Sequence, residues 1–432
     1  MIKIAFLGAG STVFARSVLG DCMVTPALKG MRIALHDIDP VRLDDSFQML
    51  SNINHNTGET AVITAHANRR EALDGADFVI NAIQVGGYEP CTITDFEIPK
   101  KYGLRQTIAD TLGIGGIFRA LRTIPVMLDF ARDMEDVCPN AWFINYTNPM
   151  AMLTGAMLRA TPIKTVGLCH SVQVCAETLL KGLDMEYDER VQWKIAGINH
   201  QAWLLELTRD GQDLYPEVRR RAQARTEDHA DKVRYEIMRQ FGYYVTESSE
   251  HNAEYMPYFI KSRYPDLIDR YNIPLDEYPR RCVKQIEDWR DMRASLVDDP
   301  DLSHERGHEY ASYIIEAMVT NRPFKLGGNV LNNGLIENLP REACVEVPCM
   351  ADASGIAPAY VGRLPTQCAA LNMTNVNVQL LTVEAALTGK KERIYQAAMM
   401  DPHTAAELSI DQIRAMVDDL IEAHGDWLPK YR

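Results

Sequence analysis

The 432 residues carry 45 Lys and Arg against 59 Asp and Glu, a formal charge of -14 with a pI near 5.3. An acidic surface repels phosphate at long range, which excludes nucleic acid and anionic membrane as expected partners and leaves small neutral or cationic molecules open. With 46% hydrophobic residues the chain can bury a sizeable core, and its length exceeds the usual single domain, so two closely packed domains are expected, 1–170 and 171–432.

In chain order, the first apolar run "IKIAFLG" follows no charged leader and is too short for a signal peptide or membrane span, so a cytoplasmic protein is expected. "RIALHDID", "ADFVINAIQ" and "AWFINYTNP" follow as strands separated by helical segments. That alternation predicts an α/β domain with a Rossmann-type parallel sheet covered on both faces. The stretch 113–136 opens on Gly113, Gly115 and Gly116 and continues in helical period, with Pro125 as a predicted kink. "KTVGLC", 164–169, reads as a further strand. Beyond it "KIAGINHQAWLLEL" reads as strands joined by a turn, 216–240 as one charged helix, and 370–425 as helices, which makes the second half mixed α+β. Nine cysteines without C-x-x-C pairing predict reduced thiols, most of them small core residues.

At the first strand's end, Gly8-x-Gly10 followed by Ser11, Thr12 and a helix is the arrangement that lets backbone amides approach a pyrophosphate. Val13 occupies the third glycine position of G-x-G-x-x-G, so the turn alone fits a plain strand–turn–helix equally well. Asp37, closing the second strand, favours the dinucleotide: its carboxylate accepts adenine-ribose hydroxyls and repels a 2′-phosphate, pointing to NAD over NADP. Asn81, ahead of the two glycines of "NAIQVGG", suits a chain passing close to a cofactor. Asn148, held extended by Pro149, is either a hydrogen bonder to ligand or a turn residue.

Cys169 and His170 end the predicted strand with side chains on opposite faces, which assigns them different tasks. A thiolate at Cys169 with an imidazole at His200 would make an incomplete metal site with positions open for substrate oxygens, although no third ligand stands out from spacing.

The strings "GAGSTVF", "NYTNPMAM", "GLCHSVQ", "GINHQAW", "VTESSEHNAEYMPYFI", "PLDEYPRRC" and "AAMMDPHTAA" together resemble the bacterial melibiase-type α-galactosidases of glycoside hydrolase family 4, nearly end to end. The resemblance implies a fold related to lactate and malate dehydrogenases, followed by a mixed catalytic domain that also serves oligomerisation. It implies Mn²⁺ on Cys169 and His200, Asn148 on the sugar, and His170 as the acid for the leaving oxygen. It further implies a mechanism outside the two-carboxylate scheme. NAD takes hydride from C3 of the galactose unit, a base removes the acidified C2 proton, the glycosidic oxygen is eliminated, water adds, and the hydride returns. A tyrosine commonly serves as that base, and Tyr255 and Tyr258 are both candidates, with Arg280 or Arg281 available to favour a phenolate. Arg281 and Asp110 are candidate sugar contacts, Asp110 alternatively a helix cap. Glu250, His251 and Glu254 either line the pocket or serve structure.

The resemblance implies terminal α-D-galactosides such as melibiose as substrate. Relatives acting on phosphorylated sugars typically carry Asp or Asn after the cysteine, where this chain has Cys169-His170-Ser171-Val172. The alternatives are the same mechanism on α-galacturonides or α-glucosides, or a lactate/malate-type NAD dehydrogenase. A homodimer or homotetramer is expected.

Overall fold

The computed structural model describes residues 1–432. The first strand shows how the sequence builds the fold. In β1 (Lys3–Leu7) Ile4 and Phe6 point into one hydrophobic core and Ala5 and Leu7 into another, because successive side chains leave a strand on opposite faces. A strand buried on both faces must be covered by helices on both, and β2 (Met31–His36), β3 (Ala61–His66), β4 (Phe78–Asn81), β5 (Trp142–Asn145) and β6 (Lys164–Gly167) complete such a sheet. These six run parallel in the order β6-β5-β4-β1-β2-β3.

The second half extends the same sheet with antiparallel strands: β7 (Val191–Ile198), β8 (Gln201–Arg209), β9 (Gln212–Asp213), β10 (Tyr244–Val245), β11 (Phe324–Leu331), β12 (Cys344–Asp352) and β13 (Gly355–Pro358). All 13 strands form one sheet, which crosses position 170 without a break. The joint is narrow. β6 meets β11 at the single pair Gly167–Asn329, and β12 meets β7 at Glu346–Gly197. Asn329 and Glu346 are themselves paired, so one row of four residues runs from β6 across β11 and β12 to β7, and within the sheet only its Gly167–Asn329 pair joins the two halves.

The Rossmann-type α/β half and the mixed second half are both present, and several boundaries shift. The strand 164–169 ends at Gly167; Leu168 still donates its N–H to Asn145 O at 2.9 Å, but Cys169 already precedes the helix His170–Gly182. Cys169 and His170 therefore diverge at a helix start and not along a strand. The charged stretch 216–240 is two helices, Tyr215–Ala224 and Lys232–Phe241; Asp231 collects the Tyr244 hydroxyl and the Ser249 hydroxyl at the break. The helix Gly113–Val137 continues past Pro125 without interruption. Proline removes the N–H that would bond Leu121 O, and the Tyr431 hydroxyl sits 3.5 Å from that carbonyl instead. No helix is long and apolar enough to cross a membrane.

Candidate functional site

Four parallel strands deliver backbone to one edge of the sheet. β1 runs into the glycine turn, β4 into Asn81, β5 into the segment reaching Asn148, and β6 into Cys169. Such a crevice outside the carboxyl ends of an open α/β sheet is where ligands bind in this architecture.

Gly8 has φ +87°, and a Cβ there would lie 2.7 Å from the carbonyl carbon of Ala82, so only glycine permits this approach of β1 to β4. Gly8 and Ala9 both donate to His36 O at 3.0 Å, and Gly10 donates to Asp37 Oδ2 at 2.7 Å. Asp37 thus closes the turn while keeping lone pairs free. Ser11 precedes the helix Thr12–Met23 without capping it, which leaves the first-turn amides without a side-chain acceptor. Thr12 is buried, its hydroxyl accepting from Ser46 Oγ at 2.9 Å. Asn81 is fully buried and ties two strand ends together, donating to Asn145 Oδ1 at 2.9 Å and Thr147 Oγ1 at 3.2 Å. An uncapped helix start behind a glycine turn, beside a carboxylate at the end of the second strand, fits a dinucleotide.

The second cluster depends on strained backbone. Asn199 and His200 form the turn between β7 and β8, with Ile198 and Gln201 paired across it, and His200 sits at φ +62°. Glu247 at φ +65° and Ala109 at φ +53° are likewise left-handed. Each costs about 1–2 kcal/mol for a residue with a Cβ, and the three converge on one cluster. Cys169, His200 and Glu247 offer one ligand atom each within 4.8 Å of one another, as do Asp110, His200 and His251. His200 Nε2 lies 3.4 Å from Glu247 Oε2 and its Nδ1 3.1 Å from the Tyr255 hydroxyl. His251 stands 3.5 Å from Glu247 and 3.8 Å from Asp110. Asn148 Nδ2 reaches Asp110 Oδ2 at 3.5 Å, and the buried Asn148 Oδ1 has no partner. A thiolate, an imidazole and a carboxylate offering one ligand atom each fit a divalent transition ion.

Charge is arranged accordingly. Burial opposes a proton on His200, yet Glu247 and Cys169 outweigh it and lift the imidazole to about 10. Burial also works against the Asp110 carboxylate, but His251 holds it well below the usual range. Tyr255 is pushed well above 10 by burial and by the carboxylates of Asp110, Glu254 and Glu247, so its phenolate requires added positive charge nearby. His170 stacks between Tyr146 and Tyr310, with ring centres 5.9 and 6.2 Å away. Its Nε2 faces Glu309 at 3.0 Å, which raises the imidazole despite partial burial.

Other expected residues lie elsewhere. Tyr258 is half-exposed, stacks on Phe241 and stands outside the cluster, so of the two tyrosines only Tyr255 touches it. Arg281 is exposed, paired with Glu250 and with Glu277 at 3.0 Å. Arg280 bonds Leu275 O and Glu277, and neither arginine contacts Tyr255. Asp110 does not cap the following helix, whose preceding residue is Leu112. Glu254 is structural: its buried carboxylate accepts the N–H groups of Thr107 and Ala109 at 2.8 Å each, fixing the loop before Asp110. Glu247 and Glu309 were not singled out from sequence. The run "ESSEHNAEY" carries the one available signal, because Glu247 and His251 are spaced i, i+4.

Residues 3–185 match the family described as Family 4 glycosyl hydrolase, and residues 195–404 match its C-terminal domain. The chain is 64% identical over 433 residues to an α-galactosidase of Bacillus subtilis, covering 100% of both chains. Its fold is similar to a 6-phospho-α-glucosidase from gut microorganisms solved in complex with NAD and Mn²⁺, with a TM-score of 0.81, 20% identity and 100% of each chain covered. It is also similar to malate dehydrogenase of Plasmodium falciparum, with a TM-score of 0.53 and 13% identity over 91% of this chain and 100% of that one.

Proposed function

The chain belongs to family 4 of the glycosyl hydrolases, and from that premise we propose that it hydrolyses terminal α-D-galactosides such as melibiose with NAD and Mn²⁺. The observation that carries this reading is the meeting of a dinucleotide-type glycine turn with the Cys169, His200 and Glu247 cluster along one sheet, in a chain so close to an α-galactosidase over its whole length. The malate dehydrogenase likeness accounts for the fold; the thiol in the ligand cluster sets this site apart from a plain hydroxy-acid dehydrogenase.

When bound, NAD would supply a hydride acceptor and donor for the sugar, and a divalent ion would supply a Lewis acid for its oxygens. Gly8, Gly10, Ser11 and Thr12 cradle the pyrophosphate side, Asp37 accepts from the adenine ribose, and Asn81 fixes the strand end against which the dinucleotide lies. Cys169 and His200, joined by Glu247, would hold the cation. Asn148 and Asp110 orient the sugar, the unpartnered Asn148 Oδ1 taking a hydroxyl proton. Tyr255 would act as base only after losing its phenolic proton to solvent, an ionisation that a cation held beside it would favour; its phenolate oxygen would then take the C2 proton, with a hydrogen on His200 Nδ1, 3.1 Å away, steadying the anion. His170 carries on Nε2 the proton that the leaving glycosidic oxygen takes, with Glu309 keeping that nitrogen protonated. The enzyme acts in the cytoplasm as a homodimer or homotetramer.

Hydrolysis of p-nitrophenyl α-galactoside in D₂O, with NAD, Mn²⁺ and thiol reductant omitted in turn, tests the reading. Loss of activity with each omission and deuterium at C2 of the product are expected. Activity that survives without NAD, or galactose free of deuterium, defeats the mechanism, and higher kcat/KM on the α-glucoside or α-galacturonide defeats the sugar assignment.

A further inference from the structure

Two arginines stand three residues apart on the helix Gly113–Val137, both buried, and their surroundings differ sharply. Arg122 is fully answered. Its Nη atoms meet the two oxygens of Asp95 at 3.1 and 2.7 Å, and its Nε donates to Val85 O at 3.1 Å. Arg119 is only 8% exposed and has no carboxylate within 4 Å. Its side chain makes one hydrogen bond, from Nη1 to the Tyr278 hydroxyl at 3.3 Å, with the guanidinium 5.5 Å above the Tyr278 ring. A guanidinium carries five N–H donors, and those of Arg119 that do not reach Tyr278 have no protein acceptor, which leaves them to water or to a ligand.

The surroundings say what the ligand is. Burial works against the charge on Arg119, while Tyr278 and Asp110 hold it protonated. Tyr278, which Arg119 bonds, donates its own N–H to Thr107 O at 3.1 Å, on the loop that Glu254 fixes and that leads into Asp110, so the Arg119–Tyr278 pair stands beside the segment that brings Asp110 to His251 and Asn148. The nearby Asp110 carboxylate offsets the cation and disfavours a phosphate or a second carboxylate there. What remains is an uncharged group rich in oxygen. A donor fork, a carboxylate and an amide side by side suit hydroxyls, which accept from the first and donate to the others.

We propose that Arg119 is a substrate-binding residue whose unpaired N–H groups take neighbouring hydroxyl oxygens of the bound sugar ring, between Asp110 and Tyr278. The assignment rests on the galactosidase reading above. Arg119→Lys keeps the charge and loses the fork; Arg119→Ala loses both. Both should raise KM for p-nitrophenyl α-galactoside and weaken melibiose binding in calorimetry by about tenfold or more, equivalent to about 1.4 kcal/mol. NAD affinity should stay within twofold, and added guanidinium ion should partly restore KM in Arg119→Ala. A KM within twofold of the wild type in Arg119→Lys overturns the proposal, as does an equal loss of NAD affinity in that variant. Should Arg119→Ala not fold, Arg119→Lys alone decides. Wild-type protein that leaves α-galactosides intact defeats the parent reading instead.

Discussion

Replacing Gly8 by Ala, and Gly30 by Ala in parallel, separates two costs that usually arrive together. Both glycines have φ +87°. An added Cβ at Gly30 meets nothing within 4 Å, whereas at Gly8 it meets Ala82 C and O at 2.7 Å and Ile83 N at 2.9 Å. Left-handed strain alone amounts to about 1–2 kcal/mol, and Gly30→Ala is expected to lose about that much stability. At Gly8 the opposing backbone cannot withdraw, because Ala82 N–H donates to Leu7 O at 2.9 Å while Gly8 and Ala9 are bonded to His36 O. Overpacking against a fixed neighbour adds about 1–3 kcal/mol, for a total of about 2–5 kcal/mol. The clash parts β1 from β4 where the dinucleotide crosses, so the NAD dissociation constant should rise about tenfold or more in Gly8→Ala and stay near wild type in Gly30→Ala. Urea unfolding measures the first quantity and quenching of intrinsic fluorescence by NAD the second. Equal destabilisation in both variants, or wild-type NAD affinity in Gly8→Ala, would refute the reasoning.

Three further outcomes are expected. Cys169→Ser should abolish hydrolysis and weaken Mn²⁺ binding while NAD still binds; an active variant rules out the thiolate as a ligand. Glu309→Gln removes the group that raises His170, so the alkaline limb of kcat/KM should move to lower pH, and an unmoved limb counts against this pairing. Burial lifts Glu254 to about 7, above its unfolded value near 4.5, so its contribution is present below about pH 4.5 and lost as pH rises through 7. Glu254→Gln cannot titrate, and the wild-type-minus-variant difference in unfolding free energy should drift against the wild type between pH 5 and 8, where a constant difference contradicts the assignment.

The parallel half was legible because its information is local. "IAFLGAG" is a strand buried on both faces ending in the turn that β4 demands, and the Asn199–His200 turn lies between two strands only a few residues apart. The second half of the site was not legible for the opposite reason. Glu247 meets Cys169 and His200 from across the fold, and Glu309 reaches His170 over 139 positions, on a segment whose fixture is Asp21: its carboxylate accepts from Gly307 and Glu309 N–H and pairs with His304. Hydrophobic period carries no signal for such contacts. Arg119 and Arg122 show the same limit most plainly. They are identical residues on one helix, and only the placement of Asp95, 27 positions before Arg122, tells them apart.

The single row Gly167–Asn329–Glu346–Gly197 gives the sheet a seam, and the cluster of Cys169, His200 and Glu247 lies just past it. Cys169 follows β6 on one side and His200 follows β7 on the other, with β11 and β12 between them. An ion held by both would act as a rivet across the narrowest part of the lacing. The two halves could then not swing apart around substrate as hinged lobes do, and access to the pocket falls to the loops above the sheet. Asn329 and Glu346, the middle of that row and joined side chain to side chain at 2.8 Å, would set the spacing of the pair that grips the ion.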